Sequence, residues 1–241
     1  IASMMMVVLA RNALLFLAAW EVMSLSSFFL VAFENEKSEV RKAAWTYMIA
    51  THIGTAFLFV MFLLLGQSAD SLDFGSLGNL TPHLSGVCFV LAVIGFGTKA
   101  GIIPSHVWLP EAHPAAPSHV SALMSGVMIK TGIYGIVRVL DFLGPAQMWW
   151  GWGLIAIGLL SGVLGVLFAL AQHDLKRLLA YHSVENIGII VMGLGVGVLG
   201  LSTGSPMLAF FGFAGGLLHV INHAMFKGLL FMGAGAVAHK E

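Results

Sequence analysis

Runs of apolar residues long enough to cross a bilayer recur along this sequence and leave little room for other architectures. A span needs about 20 apolar residues, and candidates fall at about 12–33, 42–65, 84–112, 118–141, 149–171, 178–200 and 207–238. Residues 1–10 are too few and read as the tail of a truncated helix. The expected fold class is all-α, a polytopic transmembrane helical bundle with seven complete spans and one partial span. Composition agrees, with 59% hydrophobic and 9% charged residues, where a soluble domain carries about 25% charged residues. A net charge of zero argues against a nucleic-acid partner. The single cysteine, Cys88, excludes a disulfide within the chain. It also argues against an iron–sulfur cluster here, which would need about four cysteine ligands. The sequence starts at Ile1 inside an apolar run, without a charged leader. It therefore reads as one transmembrane domain over 1–241, an internal fragment of a longer protein.

Orientation follows from the lysines and arginines of the loops, which alternate sides. One side receives Lys37, Arg41, Lys42, Lys176, Arg177 and Lys240, and the other Arg11 and Arg138. The first side is predicted to be cytoplasmic. The 66–82 loop, GQSADSLDFGSLGNLTP, has neither lysine nor arginine and is predicted to be external.

Four charged groups stand inside the apolar runs. Glu21 is near the middle of 12–33, Lys99 of 84–112 and Lys130 of 118–141, and Lys227 falls within 207–238. A charge at the bilayer centre costs roughly 2.5–3.5 kcal/mol on insertion scales. Four left alone would cost on the order of 10 kcal/mol, comparable with a whole domain's stability of about 5–15 kcal/mol. They must be paired, hydrated or neutral. One reading is a buried structural ion pair; the other is a proton relay. Lysine suits a relay, because burial in general weakens its hold on the proton and a nearby carboxylate restores it. Glu21 and Lys99 are expected to form such a pair.

Pro104 removes a backbone donor and pushes Ile103 from helical angles, so 84–112 is predicted to be broken there. Freed carbonyls at membrane depth must face protein or water. Gly97 and Gly101 flank Lys99 at a spacing that suits close helix packing. Gly212, Gly215 and Gly216 offer a bend or close packing in the last span.

His219, His223 and Lys227 stand at i, i+4 and i+8, one stripe of a helix. A His-x3-His pair is compatible with a metal, but no carboxylate or cysteine stands near it in sequence. A histidine–lysine line fits a proton wire better, and no metal site is predicted. His182 and Glu185 share a face at i, i+3 and form either an entrance for protons or an interfacial pair. His52 is a weaker relay candidate. His106, His113 and His119, around the proline-rich connection, read as structural or solvated. Three matches to soluble-enzyme motifs fail. Gly195, Gly197 and Gly200 spell GxGxxG without a preceding strand, Lys130-Thr131-Gly132 lacks its partner motifs, and no phosphate loop is present.

The runs KAGIIPSHVWLPEAHPAAPSHVSALMSGVMIKTGIYG at 99–135, WEVMS at 20–24, HDLKRLLAYHSVENIG at 173–188 and HVINHAMFKGLLFMGAGAV at 219–237 carry a family resemblance. The chain resembles the antiporter-like subunits of respiratory complex I and its relatives. Within that group it is most similar to the branch formed by the hydrogenase-4 and formate hydrogenlyase membrane subunits, itself related to Mrp antiporters. The resemblance implies two inverted helix repeats, a common transporter design, with 12–141 supplying most of the first and the second beginning near 149. It implies that helices 12–33 and 84–112 meet, and that the histidines and lysine of the last span join a central polar axis.

The implied function is proton translocation coupled to electron transfer on partner subunits. The relay would run through Glu21, Lys99, Lys130, His219, His223 and Lys227. Nickel–iron and iron–sulfur centres are expected on those partners; neither redox-catalytic residue nor cofactor is expected in this chain. The expected surroundings are other membrane subunits, a peripheral hydrogenase or dehydrogenase arm, and the lipid bilayer of the bacterial inner (plasma) membrane. Rival readings are a quinone-reducing complex I subunit, an Mrp-type sodium/proton antiporter subunit carrying protons or sodium, and a structural membrane anchor that passes no ion.

Overall fold

The computed structural model describes residues 1–78 and 80–238. Lys240, counted above on the cytoplasmic side, lies outside the described residues. Helix α1 (Ala2–Leu9) precedes α2 (Ala13–Val31), α3 (Ser38–Ala69) and α4 (Pro82–Ala100). Short helices α5 (Leu109–Ala115) and α6 (Ser118–Leu123) follow, then a π-helical turn at Met124–Met128 that runs into α7 (Ile129–Leu140). Helices α8 (Met148–Leu170), α9 (Leu175–Ser202) and α10 (Pro206–Ala238) complete the order. Among the described residues, seven helical stretches are long and apolar enough to cross a membrane, and they fall on the seven apolar runs of the sequence.

Local chemistry sets the helix starts. Asn12 caps α2 by accepting from the Leu14 N–H at 2.9 Å. Thr81 caps α4 ahead of Pro82, whose missing N–H costs nothing in a first turn. Asp174 caps α9 through the Arg177 N–H at 2.7 Å. Helix α3 has 32 residues, roughly 48 Å at 1.5 Å per residue. It outreaches a hydrocarbon core of about 30 Å, so α3 tilts or projects beyond it.

Two spans are interrupted, one as expected and one not. The run at 84–112 stops at Ala100, because Gly101 takes a left-handed conformation (φ 83°) that ends the helix. The break therefore begins three residues before Pro104, which lies in the connection to α5 and denies the helix any continuation. The loosened backbone is answered by side chains. Trp108 Nε1 donates to the Thr98 carbonyl at 2.8 Å, and Ser161 Oγ accepts from the Ile103 N–H at 3.1 Å. Lys99 consequently sits in the last turn of α4, at the break, and not at mid-helix. The run at 118–141 is interrupted by the π turn, a feature common at functional sites, immediately before Lys130.

Helices α8, α9 and α10 pack through glycines at intervals along their lengths. A Cβ on Gly158 would lie 2.7 Å from the Gly188 carbonyl, and one on Gly212 would lie 2.2 Å from the Gly197 nitrogen. Small residues let helix backbones meet in a bilayer, where no hydrophobic force draws helices together. Gly212 thus serves packing, and α10 runs unbroken from Pro206 to Ala238.

The loops sort into two ends. At one end Arg177 pairs with Glu111 at 3.3 Å, Lys37 pairs with Glu34, and Lys176 Nζ donates to the Ala116 carbonyl at 3.0 Å. At the other, Asn12 Nδ2 donates to Asp73 at 2.7 Å, Tyr134 to the Val8 carbonyl at 3.0 Å, and Gln147 to the Pro82 carbonyl at 2.8 Å. Glu34, Lys37, Glu111, Asp174 and Arg177 line one cavity, so the 34–41 and 172–177 loops share an end, opposite the 66–82 loop.

Candidate functional site

Lys99 is 1% exposed. Its Nζ donates to Ser24 Oγ at 2.7 Å and more weakly to the Tyr47 hydroxyl at 3.4 Å. The rings of Trp20 and Tyr47 lie 5.5 and 5.3 Å away, within range of a cation–π contact. Hydroxyls and ring faces thus stand in for water. The Tyr47 hydroxyl also reaches Met128 Sδ at 3.7 Å, to which Ser27 Oγ donates at 3.1 Å.

Glu21 is held by His52, with Oε2 3.1 Å from His52 Nε2. The expected direct contact between Glu21 and Lys99 is absent from the ion pairs of the described residues. The reason is geometric. Ser24 lies one turn on from Glu21, on the same face of α2, and takes the place beside the ammonium. The helices do meet, through the rings of Trp20 and Phe96 with centroids 5.3 Å apart. His52 Nδ1 lies 3.0 Å from the Met48 carbonyl. A carbonyl only accepts, so Nδ1 carries a proton there. Nε2 is thereby turned toward the Glu21 carboxyl.

Lys130 and Lys227 are 8% and 1% exposed. Lys130 Nζ donates to the Ser125 carbonyl, a group of the π turn just upstream. Lys227 Nζ donates to the Leu179 carbonyl of α9 at 2.8 Å. Between these two carbonyls, Ser125 Oγ and Ser183 Oγ lie 2.9 Å apart, and Ser183 Oγ donates to Leu179 at 3.0 Å. The structure therefore joins the two lysines by one buried polar thread.

A second network lies on α9 and α10. His182 Nδ1 is 2.5 Å from Glu185 Oε2. Asn186 Nδ2 donates to the His182 carbonyl at 2.7 Å, which turns Oδ1 toward His219 Nε2 at 2.9 Å. His219 Nε2 must then carry the proton of that bond. The rings of His219 and His223 stack at 6.3 Å, so the expected stripe continues toward Lys227. His223 is fully buried, and neither ring nitrogen has a partner among the described residues.

His113 takes the structural of its two readings. It is fully buried and stacks on Phe231 with centroids 4.6 Å apart. His119 is exposed. His106, in the connection after α4, is half-buried against Phe168, and that burial pushes its imidazole below the usual range. Among the described residues, His, Cys, Asp and Glu are nowhere gathered in threes as a metal site would need. Ser24, Tyr47, Ser125, Ser183 and Asn186 escaped the sequence reading. For Ser24, three residues from Glu21, and Ser125, five from Lys130, the available signal was a hydroxyl about one turn from a charge inside an apolar run; Tyr47, Ser183 and Asn186 carried no such mark.

Residues 10–241 match the family described as NADH:quinone oxidoreductase/Mrp antiporter, TM. The chain belongs to that family. The chain is similar to Hydrogenase-4 component B of Escherichia coli (strain K12), 50% identical over 98% of this chain and 36% of the relative. Formate hydrogenlyase subunit 3 of the same strain is 40% identical over 95% of this chain and 37% of its own length. Among solved structures, the Mrp complex of Dietzia sp. DQ12-45-1b superposes with a TM-score of 0.87 at 31% identity, covering 99% of this chain and 25% of that one. The chain thus spans little more than a third of the E. coli family relatives. Membership makes this a multi-pass membrane chain similar to subunits of hydrogenase, formate hydrogenlyase and Mrp assemblies, and it agrees with the helix count and fold above.

Proposed function

We propose that this chain is the proton-translocating membrane section of a hydrogenase or formate hydrogenlyase-type oxidoreductase complex. It moves protons along Glu21, Lys99, Lys130, His219, His223 and Lys227, with the His182–Glu185 pair as their entrance. One observation carries the reading. None of Lys99, Lys130 and Lys227 forms an ion pair within 4.0 Å of a carboxylate among the described residues. A structural anchor would neutralise such groups with acidic partners, since a bare buried charge is costly. Here each ammonium rests on hydroxyls or carbonyls that bind it without trapping it.

Electron transfer belongs, on this reading, to partner subunits with nickel–iron and iron–sulfur centres, in the bacterial inner membrane. Identity to the two Escherichia coli hydrogenase-type relatives favours this assembly over a sodium/proton antiporter. The chain then comprises most of one helix repeat at 12–141 and the start of a second from about 149. Purifying the intact complex and identifying its subunits tests the assignment. Co-purification of a hydrogenase arm is expected; an Mrp-type set of membrane subunits alone would replace it with antiport.

The end holding the 34–41 and 172–177 loops is assigned to the cytoplasm by its excess of basic residues. Single cysteines at positions 37 and 73 of the full-length protein, treated with an impermeant thiol reagent in intact cells, check this. Position 73 is expected to react and position 37 to be protected; the opposite pattern inverts the topology.

A further inference from the structure

We propose that the hydroxyls of Ser125 and Ser183 are the proton bridge between Lys130 and Lys227. The proposal rests on the relay reading above and names the groups that carry the proton between two of its lysines. Both serines are fully buried. A serine within a helix ordinarily donates to a carbonyl one turn back. Ser183 does so, at the Leu179 carbonyl. Ser125 does not: its hydroxyl reaches across from the π turn to Ser183. Because the Ser183 proton points to Leu179, Ser125 is the donor between the two hydroxyls. That arrangement, one of the two the hydroxyl pair allows, gives the order Ser125, Ser183, Leu179.

Each end of this thread holds a lysine. The Lys130 ammonium is bound by the carbonyl of Ser125 itself, so its Nζ stands beside the residue whose hydroxyl begins the bridge. The Lys227 Nζ and the Ser183 hydroxyl share one acceptor, the Leu179 carbonyl. A carbonyl holds an ammonium but passes no proton on. A hydroxyl both accepts and donates, so only the two serines complete the route.

The transfer balances. An N–H bond of protonated Lys130 breaks as its proton goes to Ser125 Oγ. Ser125 gives its own proton to Ser183 Oγ, and Ser183 gives its own to the neutral amine of Lys227. One N–H bond is lost at Lys130 and one formed at Lys227, and each serine exchanges one O–H bond for another. Lys130 turns from the Ser125 carbonyl to the hydroxyl of the same residue, and Lys227 and the Ser183 proton turn from the Leu179 carbonyl toward each other. Rotation of the two hydroxyls then restores the starting order.

The test uses the full-length protein in its native membrane complex. The rate of proton uptake into inverted vesicles is read with a pH-sensitive dye and divided by the amount of assembled complex. S125A and S183A are each expected to lower that rate at least about ten-fold, a floor below the roughly 10²–10⁴-fold that a positioned proton-transfer group contributes. The S125A/S183A double variant should be no slower than the slower single one, because steps in series do not add. S125T, which keeps a hydroxyl, should retain most of the rate. If the hydroxyls only pin α9 to the π turn, the alanine variants lower assembly and leave the rate per complex unchanged, which overturns the bridge. S183A interrupts the thread from α9 and decides the matter should S125A fail to assemble. Lys227→Ala run alongside separates two failures. A slow Lys227 variant with fast serine variants removes the bridge alone, and a fast Lys227 variant removes the relay beneath it.

Discussion

Lys227→Ala is expected to cut proton uptake at least about ten-fold, roughly 1.4 kcal/mol of barrier, while the complex still assembles. The substitution removes a titratable group from the junction between the Ser125–Ser183 thread and the histidine stripe. It leaves the Leu179 carbonyl satisfied, because Ser183 Oγ remains bonded to it. Two stability effects oppose each other. Loss of a buried long side chain weakens packing, and loss of a buried charge relieves a cost of about 2.5–3.5 kcal/mol. Assembly is therefore preserved while transport falls. His219→Ala and His223→Ala should each cost less, since water can bridge one missing ring. Uptake rate and complex abundance, measured on the same vesicles, separate the two effects. An unaltered rate would leave Lys227 a packing residue.

Glu21→Gln and Lys99→Met are expected to impair uptake as strongly, through electrostatics. Lys99 rests on neutral hydroxyls, and Glu21 is held by a histidine that can itself take a proton. We propose that Glu21 acts on Lys99 across one turn of α2. While Glu21 is ionised and unengaged it favours the protonated lysine, and a proton settling on His52 draws the carboxylate away. Lys99 then releases its proton more readily. Breaking a buried ion pair from one side typically costs about 3–5 kcal/mol. Here the cost should be smaller, because the Glu21 and His52 side chains are partly exposed. The double variant Glu21→Gln/Lys99→Met should assemble and stay inactive, having no titratable switch. A structural pair would instead be restored in both respects, so full uptake by the double variant would exclude the switch.

The spans were legible in the sequence because hydrocarbon imposes a length on apolar runs and admits few charges. Glu21, Lys99, Lys130 and Lys227 stood out for the same reason, and the His219–His223–Lys227 stripe followed from helical spacing alone. What hid was whatever depends on backbone irregularity. Proline rules place a break near Pro104, yet the helix ends at Gly101, since a glycine can take the left-handed conformation without strain. Nothing in ALMSGVMIK announces a π turn, and the contact between Lys130 and the Ser125 carbonyl depends on that turn. Ser125 and Ser183 lie 58 residues apart, in runs where serine is ordinarily a self-satisfied helix residue. The exchange of Lys99 for His52 as the partner of Glu21 was equally hidden, because it turns on which faces of α2, α3 and α4 meet.

Proton uptake by vesicles carrying the full-length complex, with Lys99, Lys130 or Lys227 each replaced by methionine, bears most directly on the claim that these buried lysines carry protons. Methionine keeps much of the apolar volume and removes the titratable group. Each variant is expected to assemble near the unsubstituted level and to lose most uptake per complex. Assembled variants that take up protons at the unsubstituted rate would contradict it and make this chain a membrane anchor.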